Sequence, residues 1–388
     1  MRIIVIKLSM IIVLILAACN DNKLPKNEDI KVITLLFDEE AEMKASDFVQ
    51  STRVVLLEDT DETMIGTISK VDVVDSLLII TDKNTCSVLT YDFDGHLVAK
   101  INFKGRGPGE YQHITTTWVN HDTKEVAIYD NSQMKILLYT LHGELVKDYR
   151  SPSHIQGLAL HGDHGYYYRS MDGYYDDAMK PTNFHLIMTS PDSLRLELQR
   201  EFWLDNSSYL PFEPFLRSNG KILLLTPGEQ NIYELSGMDM HLRYHVELKP
   251  NPMWVDDNFR SIITYEDYTK FRKINMGKLG HVRFMGGDRY FLFNATKQLD
   301  EVRGKGCLFI YDTKEDRIVQ SGHSIYNDLG PYDMTNNLKF FNDSLWISVA
   351  YQYEYPPNVL DTIARIEGLD FSKSINPVVV ISKLNLDK

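Results

Sequence analysis

Cysteine is scarce: three in 388 residues, at positions 19, 86 and 307, with no C-x-x-C pair. That excludes a disulfide framework and the usual zinc or dithiol motifs. Clusters of Lys and Arg are missing too. The chain carries 41 basic against 54 acidic residues, a formal charge of −13, and no basic block of the kind that grips a phosphate backbone. Nucleic acid is therefore not an expected partner; a surface of this sign repels anionic polymers and accepts neutral or cationic ligands. Hydrolase signatures are absent as well: there is no G-x-S-x-G and no H-E-x-x-H, the patterns that would mark a nucleophile elbow or a zinc protease. No metal or cofactor is expected. What the chain has is aromatic surface, 22 Tyr and 17 Phe, with 43% hydrophobic and 24% charged residues. Such a balance argues against disorder, and broad rings suit pleated sheets.

Residues 1–19 read MRIIVIKLSMIIVLILAAC. Arg2 and Lys7 form a basic start, residues 10–16 are wholly apolar, and small residues precede Cys19. This is the layout of a cleaved signal peptide, not of a membrane span. LAAC resembles the bacterial lipobox, in which the cysteine is acylated and becomes the first residue. Residues 1–18 are thus expected to be a lipoprotein signal and Cys19 the lipidation site; their removal takes away Arg2 and Lys7 and leaves a charge of −15. Polar residues 20–29 read as a tether, and residues 19–49 as a whole are assigned to a lipidated N-terminal segment ahead of the folded body.

The body is repetitive. Residues 78–101, LIITDKNTCSVLTYDFDGHLVAKI, align without gaps on residues 126–149, VAIYDNSQMKILLYTLHGELVKDY, at an offset of 48. Asp82 falls on Asp130, Tyr91 on Tyr139 and Gly95 on Gly143. Each copy reads as three short strands separated by turn residues, with a fourth strand upstream at residues 65–71 and 114–120. A period of 40–50 residues with four strands per unit is the mark of a β-propeller. Weaker copies at about 155–202, 215–248, 282–326 and 344–384 bring the count to six. The expected fold is all-β: a six-bladed propeller of four-stranded blades over residues 50–388, with small helical insertions at 254–277 and 359–366. Residues 53–57, RVVLL, are the spare strand that would close the ring beside the last unit, leaving no bare sheet edge at the join. Asp82 and Asp130 are read as turn-forming residues and not as calcium ligands.

One string stands out. Residues 105–111, GRGPGEY, follow the first unit. Together with the 48-residue units, the lipobox and residues 376–380, NPVVV, the string resembles the six-bladed propeller lipoproteins of Bacteroidota, relatives of the NHL-repeat propellers. The resemblance spans residues 50–385. It implies a lipid-anchored protein of the outer membrane, periplasmic or surface-facing, and an association with glycan uptake, but no settled activity. The glycines are expected to shape a crossing from an outer strand to the next inner strand beside the central channel. Arg106, Glu110, Tyr111 and His113 would then contact a ligand at the channel mouth. His161 and His164 flank a Gly-Asp turn and read as hairpin residues. Cys86 and Cys307 should be free and buried. The expected role is a non-enzymatic propeller that binds a small molecule, a glycan or a protein; the alternative is a propeller enzyme, a lyase or glycan-active hydrolase, with its site at the channel.

Overall fold

The computed structural model describes residues 30–387 except 39, 61–62, 170–183, 200–212, 226–229, 251–272, 274–275, 300–303, 333, 335–336 and 374. Six antiparallel sheets stand around a ring as blades. Blade 1 occupies residues 68–101, blade 2 116–150, blade 3 157–199, blade 4 215–249 and blade 5 279–322; blade 6 combines residues 338–384 with a strand from the chain's start. Within each blade the first strand is innermost and the fourth outermost. The inner strands are Ile68–Val74, Thr116–Asn120, Gly157–His161, Phe215–Ser218, Leu279–Gly286 and Leu338–Phe341.

The burial pattern follows from this stacking. Each blade is covered on both faces by its neighbours, so a second strand such as Leu77–Asp82 (LLIITD) is buried at nearly every position and does not alternate. Outer strands meet solvent, and Leu145–Arg150 (LVKDYR) has no buried residue. The apolar core is accordingly a series of seams between blades. Val74, Ile79, Val88 and Ile101 of blade 1, for example, pack on Val119, Val126, Ile128 and Leu137 of blade 2.

The aligned turn residues have concrete jobs. Asp82 accepts hydrogen bonds from the amides of Asn84 (2.9 Å) and Gly66 (2.6 Å) and from the Thr85 hydroxyl (2.8 Å). Asp130 repeats the pattern with the amides of Ser132 (2.8 Å) and Gln112 (2.6 Å). Each carboxylate therefore shapes its own turn and also pins the incoming connection. Gly95 and Gly143 sit at φ 89° and 90°, just before the fourth strand. A Cβ on Gly95 would lie 2.1 Å from the Leu56 carbonyl oxygen, so both handedness and space demand glycine there.

Ring closure uses the expected strand and extends it. Val49–Leu56 pairs antiparallel with Val378–Leu384, placing a strand from the chain's start at the outer edge of blade 6. Asn376 seals the seam with blade 1: it is 1% exposed, accepts the Ile65 amide (2.9 Å) and donates to the carbonyls of Glu58 and Thr63 (3.1 Å each). Arg53 adds a bond to the Phe93 carbonyl (2.6 Å).

The segment before the closing strand departs from the expected tether. Lys31–Leu36 pairs in parallel with Asp239–Lys249 and becomes a fifth strand on blade 4. Glu42–Lys44 pairs in parallel with Ser324–Tyr326 beside blade 5, and the short helix Ala45–Phe48 (α1) leads into blade 6. The physical reason is apolar spacing: Ile33, Leu35 and Phe37 are buried against the cluster shared by blades 4 and 5. Residues 31–56 thus form a belt outside three consecutive blades. The helix expected at 359–366 is present as Pro357–Glu367 (α2), begun by proline and ended by Gly368 at φ 69°. The insertion expected at 254–277 falls almost wholly outside the described residues.

Candidate functional site

The Gly105–Tyr111 loop is a clamp between blades. The Glu110 carboxylate folds back to accept the Gly107 amide (2.8 Å). Lys135, on the third strand of blade 2, donates to the Gly107 carbonyl (2.9 Å) and pairs with Asp148 on the fourth strand (3.0 Å). Asp148 in turn accepts the Gly109 amide (3.0 Å), and the Tyr139 hydroxyl donates to the Gly109 carbonyl (2.5 Å). These partners lie on the outer half of blade 2, so the loop sits in the seam and not beside the axis. Tyr111 is fully buried, its hydroxyl bound to the carbonyls of Cys86 (2.9 Å) and Ile101 (3.0 Å); burial holds that hydroxyl far above its ordinary pKa. The expected ligand contacts therefore divide. Tyr111 and Glu110 are committed to the fold. Arg106 and His113 are exposed; His113 lies on the link that enters the inner strand of blade 2. The glycines were legible as shape-makers; what the string did not reveal was the radius at which it docks.

Other singled-out groups resolve as structure. Tyr166, Tyr167 and Tyr168 are all buried in the seam around blade 3. His161 and His164 pair across a hairpin whose Gly162 has φ 59°. Cys86 and Cys307 are free and buried, and burial pushes the Cys307 thiol up to about 11. Among the described residues no three His, Cys, Asp or Glu side chains gather as a metal site.

The axis itself holds the cluster that sequence reasoning missed. Lys70, on the inner strand of blade 1, points toward blade 2 and donates to the Thr117 carbonyl (3.2 Å). Its ammonium is 3.4 Å from Asp72 on the same strand and 2.7 Å from Glu213, which leads into blade 4. Blades 1 and 4 are opposite in a six-membered ring, so this ion pair spans the axis. Burial alone would lower the Lys70 pKa, but the two carboxylates outweigh it and hold the ammonium above its ordinary value. Asp72 is pushed up, chiefly by burial, despite Lys70. Around this group lies an open cleft, lined by Lys70, Thr116, Trp118, Leu158, Glu213 and Phe215.

A second bridge crosses the lower end, where the inner strands finish. Arg217 of blade 4 reaches Asp122 of blade 2 (2.6 Å), past His161 of blade 3, which is 3.6 Å from the same carboxylate group. On blades 5 and 6, Arg283 and Lys339 stand near one another, and burial with the Arg283 charge lowers the Lys339 ammonium. The six inner strands thus carry four permanent cations, Lys70, Arg217, Arg283 and Lys339, against one carboxylate, Asp72. The axis has the opposite sign to the molecule. Net charge could not show this, because it averages over a surface that is mostly outer strand and turn.

A family model for a domain of unknown function, DUF4934, matches residues 28–383. The chain belongs to the DUF4934 family. That match spans the belt as well as the blades, in keeping with the pairing of Lys31–Leu36 to blade 4. Among solved structures, this DUF4934 chain is similar to a protein of Bacteroides fragilis NCTC 9343 named as a candidate exported protein, at 15% identity and a TM-score of 0.72, covering 92% of this chain and all of the other. It also matches a member of the DUF4221 family from Bacteroides vulgatus, at 8% identity and a TM-score of 0.49, over 87% and 97% of the two chains. The first likeness shows the fold. No curated protein matches the chain.

Proposed function

We propose that this DUF4934 propeller is a lipid-anchored protein of the cell envelope that binds a small ligand in the axial cleft, without catalysing its turnover. The observation that carries the reading is the convergence at one mouth of the ring: Lys70, Thr116, Trp118, Glu213 and Phe215, from blades 1, 2 and 4, line one open cleft. Pockets that combine apolar walls with a few convergent polar groups are the usual ligand sites of proteins. Export is supported by the name of the Bacteroides fragilis neighbour, and lipidation by the LAAC sequence ending at Cys19. A link to glycan uptake rests on the family resemblance alone.

The reading is tested by thermal shift of the full chain against a panel of glycans and peptides, repeated with Lys70→Gln. A ligand of the axial cleft should lose its stabilising effect in the variant. A shift that survives Lys70→Gln would move the site elsewhere. For the anchor, Cys19→Ala should abolish metabolic labelling with a fatty acid; normal labelling of the variant would remove the lipobox assignment.

A further inference from the structure

We propose that Glu213 is an internal stand-in for the carboxylate of a ligand, so that the axial cleft takes a small carboxylate-bearing molecule and the chain itself competes for the place. The inference rests on the axial cleft being the binding site. It starts from an inequality between the two acids on Lys70. Asp72 comes from the same strand, two residues away, and its side chain is 16% exposed; it belongs to the wall. Glu213 arrives from the opposite side of the ring, makes the closer contact at 2.7 Å, and is 51% exposed above a lysine that is 14% exposed. A buried ammonium needs an anion against it. Glu213 meets that need from the solvent side, where another carboxylate can replace it at little cost in desolvation.

The surroundings favour the replacement. With Glu213 withdrawn, Lys70 keeps Asp72 and the Thr117 carbonyl, while the inner strands retain Arg217, Arg283 and Lys339. Arg283 and Lys339 have no anionic partner among the described residues. These four cations outnumber the acids that remain beside them, Asp72 and Asp122, and an excess of one sign concentrates ions of the other. The cleft sets one buried ammonium among the apolar walls of Trp118, Leu158 and Phe215, an arrangement that suits a small molecule with a single carboxylate, such as a sugar acid or an acidic amino acid. A carboxylate held within the chain lowers apparent affinity by the fraction of time that the place is taken. Removing it should therefore strengthen binding, the reverse of what removing a ligand contact does.

The experiment is titration calorimetry of the full chain and of Glu213→Gln with four probes: galacturonate and its neutral partner galactose, N-acetylglutamate and its neutral partner N-acetylglutamine. The expected result is binding of the carboxylates over their neutral partners, tightened about tenfold in Glu213→Gln and weakened by added salt. Preference for galacturonate or for N-acetylglutamate tells a sugar acid from an acidic peptide as the source. Lys70→Gln in the Glu213→Gln background should lose binding, with thermal melting used to check folding; if that double variant fails to fold, the salt dependence and the neutral partners still decide. Carboxylates bound no more tightly by Glu213→Gln than by the parent would make Glu213 a structural tie and overturn the inference, as would failure of both carboxylates to bind either protein. Equal binding of galactose and galacturonate, both lost with Lys70→Gln, would overturn the inference and leave the axial site standing.

Discussion

Replacing Asn376 tests the seam that closes the ring. The side chain is 1% exposed and makes three bonds, accepting the Ile65 amide and donating to the carbonyls of Glu58 and Thr63. Asn376→Ala leaves the buried Ile65 amide and Thr63 carbonyl without partners. A buried group so stranded costs about 1–3 kcal/mol, so a loss of about 3 kcal/mol is expected, which in a chain of this size lowers Tm by about 4 °C. Asn376→Asp is the sharper variant. It has the same shape and can still accept from Ile65, but at neutral pH it turns a buried carboxylate toward two carbonyl oxygens. Its cost should exceed that of alanine. Burial and those oxygens would raise the new carboxyl's pKa above the unfolded value of about 3.9, so the penalty is present at neutral pH and relieved as pH falls through the raised value. Urea midpoints and melting curves at several pH values measure both variants, with Asn342→Ala, which removes only a turn contact on blade 6, as reference. If Asn376→Asp proves as stable as the parent, or less damaging than alanine, the seam does not rest on these bonds.

Three further outcomes follow from the same geometry. Leu35→Ala should cost about 3 kcal/mol, because Leu35 is fully buried under blade 4; a free tether would show no change in chemical denaturation. Tyr111→Phe should cost about 1–3 kcal/mol and leave ligand binding intact, while Arg106→Ala should move stability by less than about 0.5 kcal/mol; loss of binding in Arg106→Ala would restore the loop as a contact site. Burial alone would raise the Asp130 pKa, but hydrogen bonds from Ser132, Gln112 and Gln133 outweigh it and lower it. That contribution to stability is fully present above about pH 3.9 and is lost as pH falls through the lower folded value, so Asp130→Asn should flatten the acid limb of a urea-midpoint profile.

The ring was legible because its signals are local and repeated. Asp82 and Asp130, Tyr91 and Tyr139, Gly95 and Gly143 each do the same task in neighbouring blades, and the task is performed within a few residues of chain. The closing strand was also legible, since an apolar run without a place in any unit must find one at the join. Position around and across the ring was not. Glu213 meets Lys70 only because a sixfold arrangement sets blade 4 opposite blade 1, and no spacing in the sequence encodes that. Tyr111 looked available because it stands in a glycine-rich loop, but its ring fills the seam between blades 1 and 2. The belt was hidden for a related reason: Ile33 and Leu35 alternate over too few residues to be told from a linker until their partner, some two hundred residues on, is known.

That closing arrangement also governs how a growing chain can reach its native state. Thr52 and Ser382, joined by a 2.8 Å bond between hydroxyls, are 330 residues apart. The thermodynamic cost of so large a loop rises only logarithmically with its length, but contacts of such separation form late. A strand made early must wait for the strand made last. Until Val378–Leu384 is available, Val49–Leu56 and Leu345–Ala350 each lack their blade 6 neighbour and present open edges of the kind that recruit other chains. A product truncated before residue 378 would therefore keep most blade sequences intact and yet remain sticky. Completion of the chain and loss of its aggregation-prone edges become a single event.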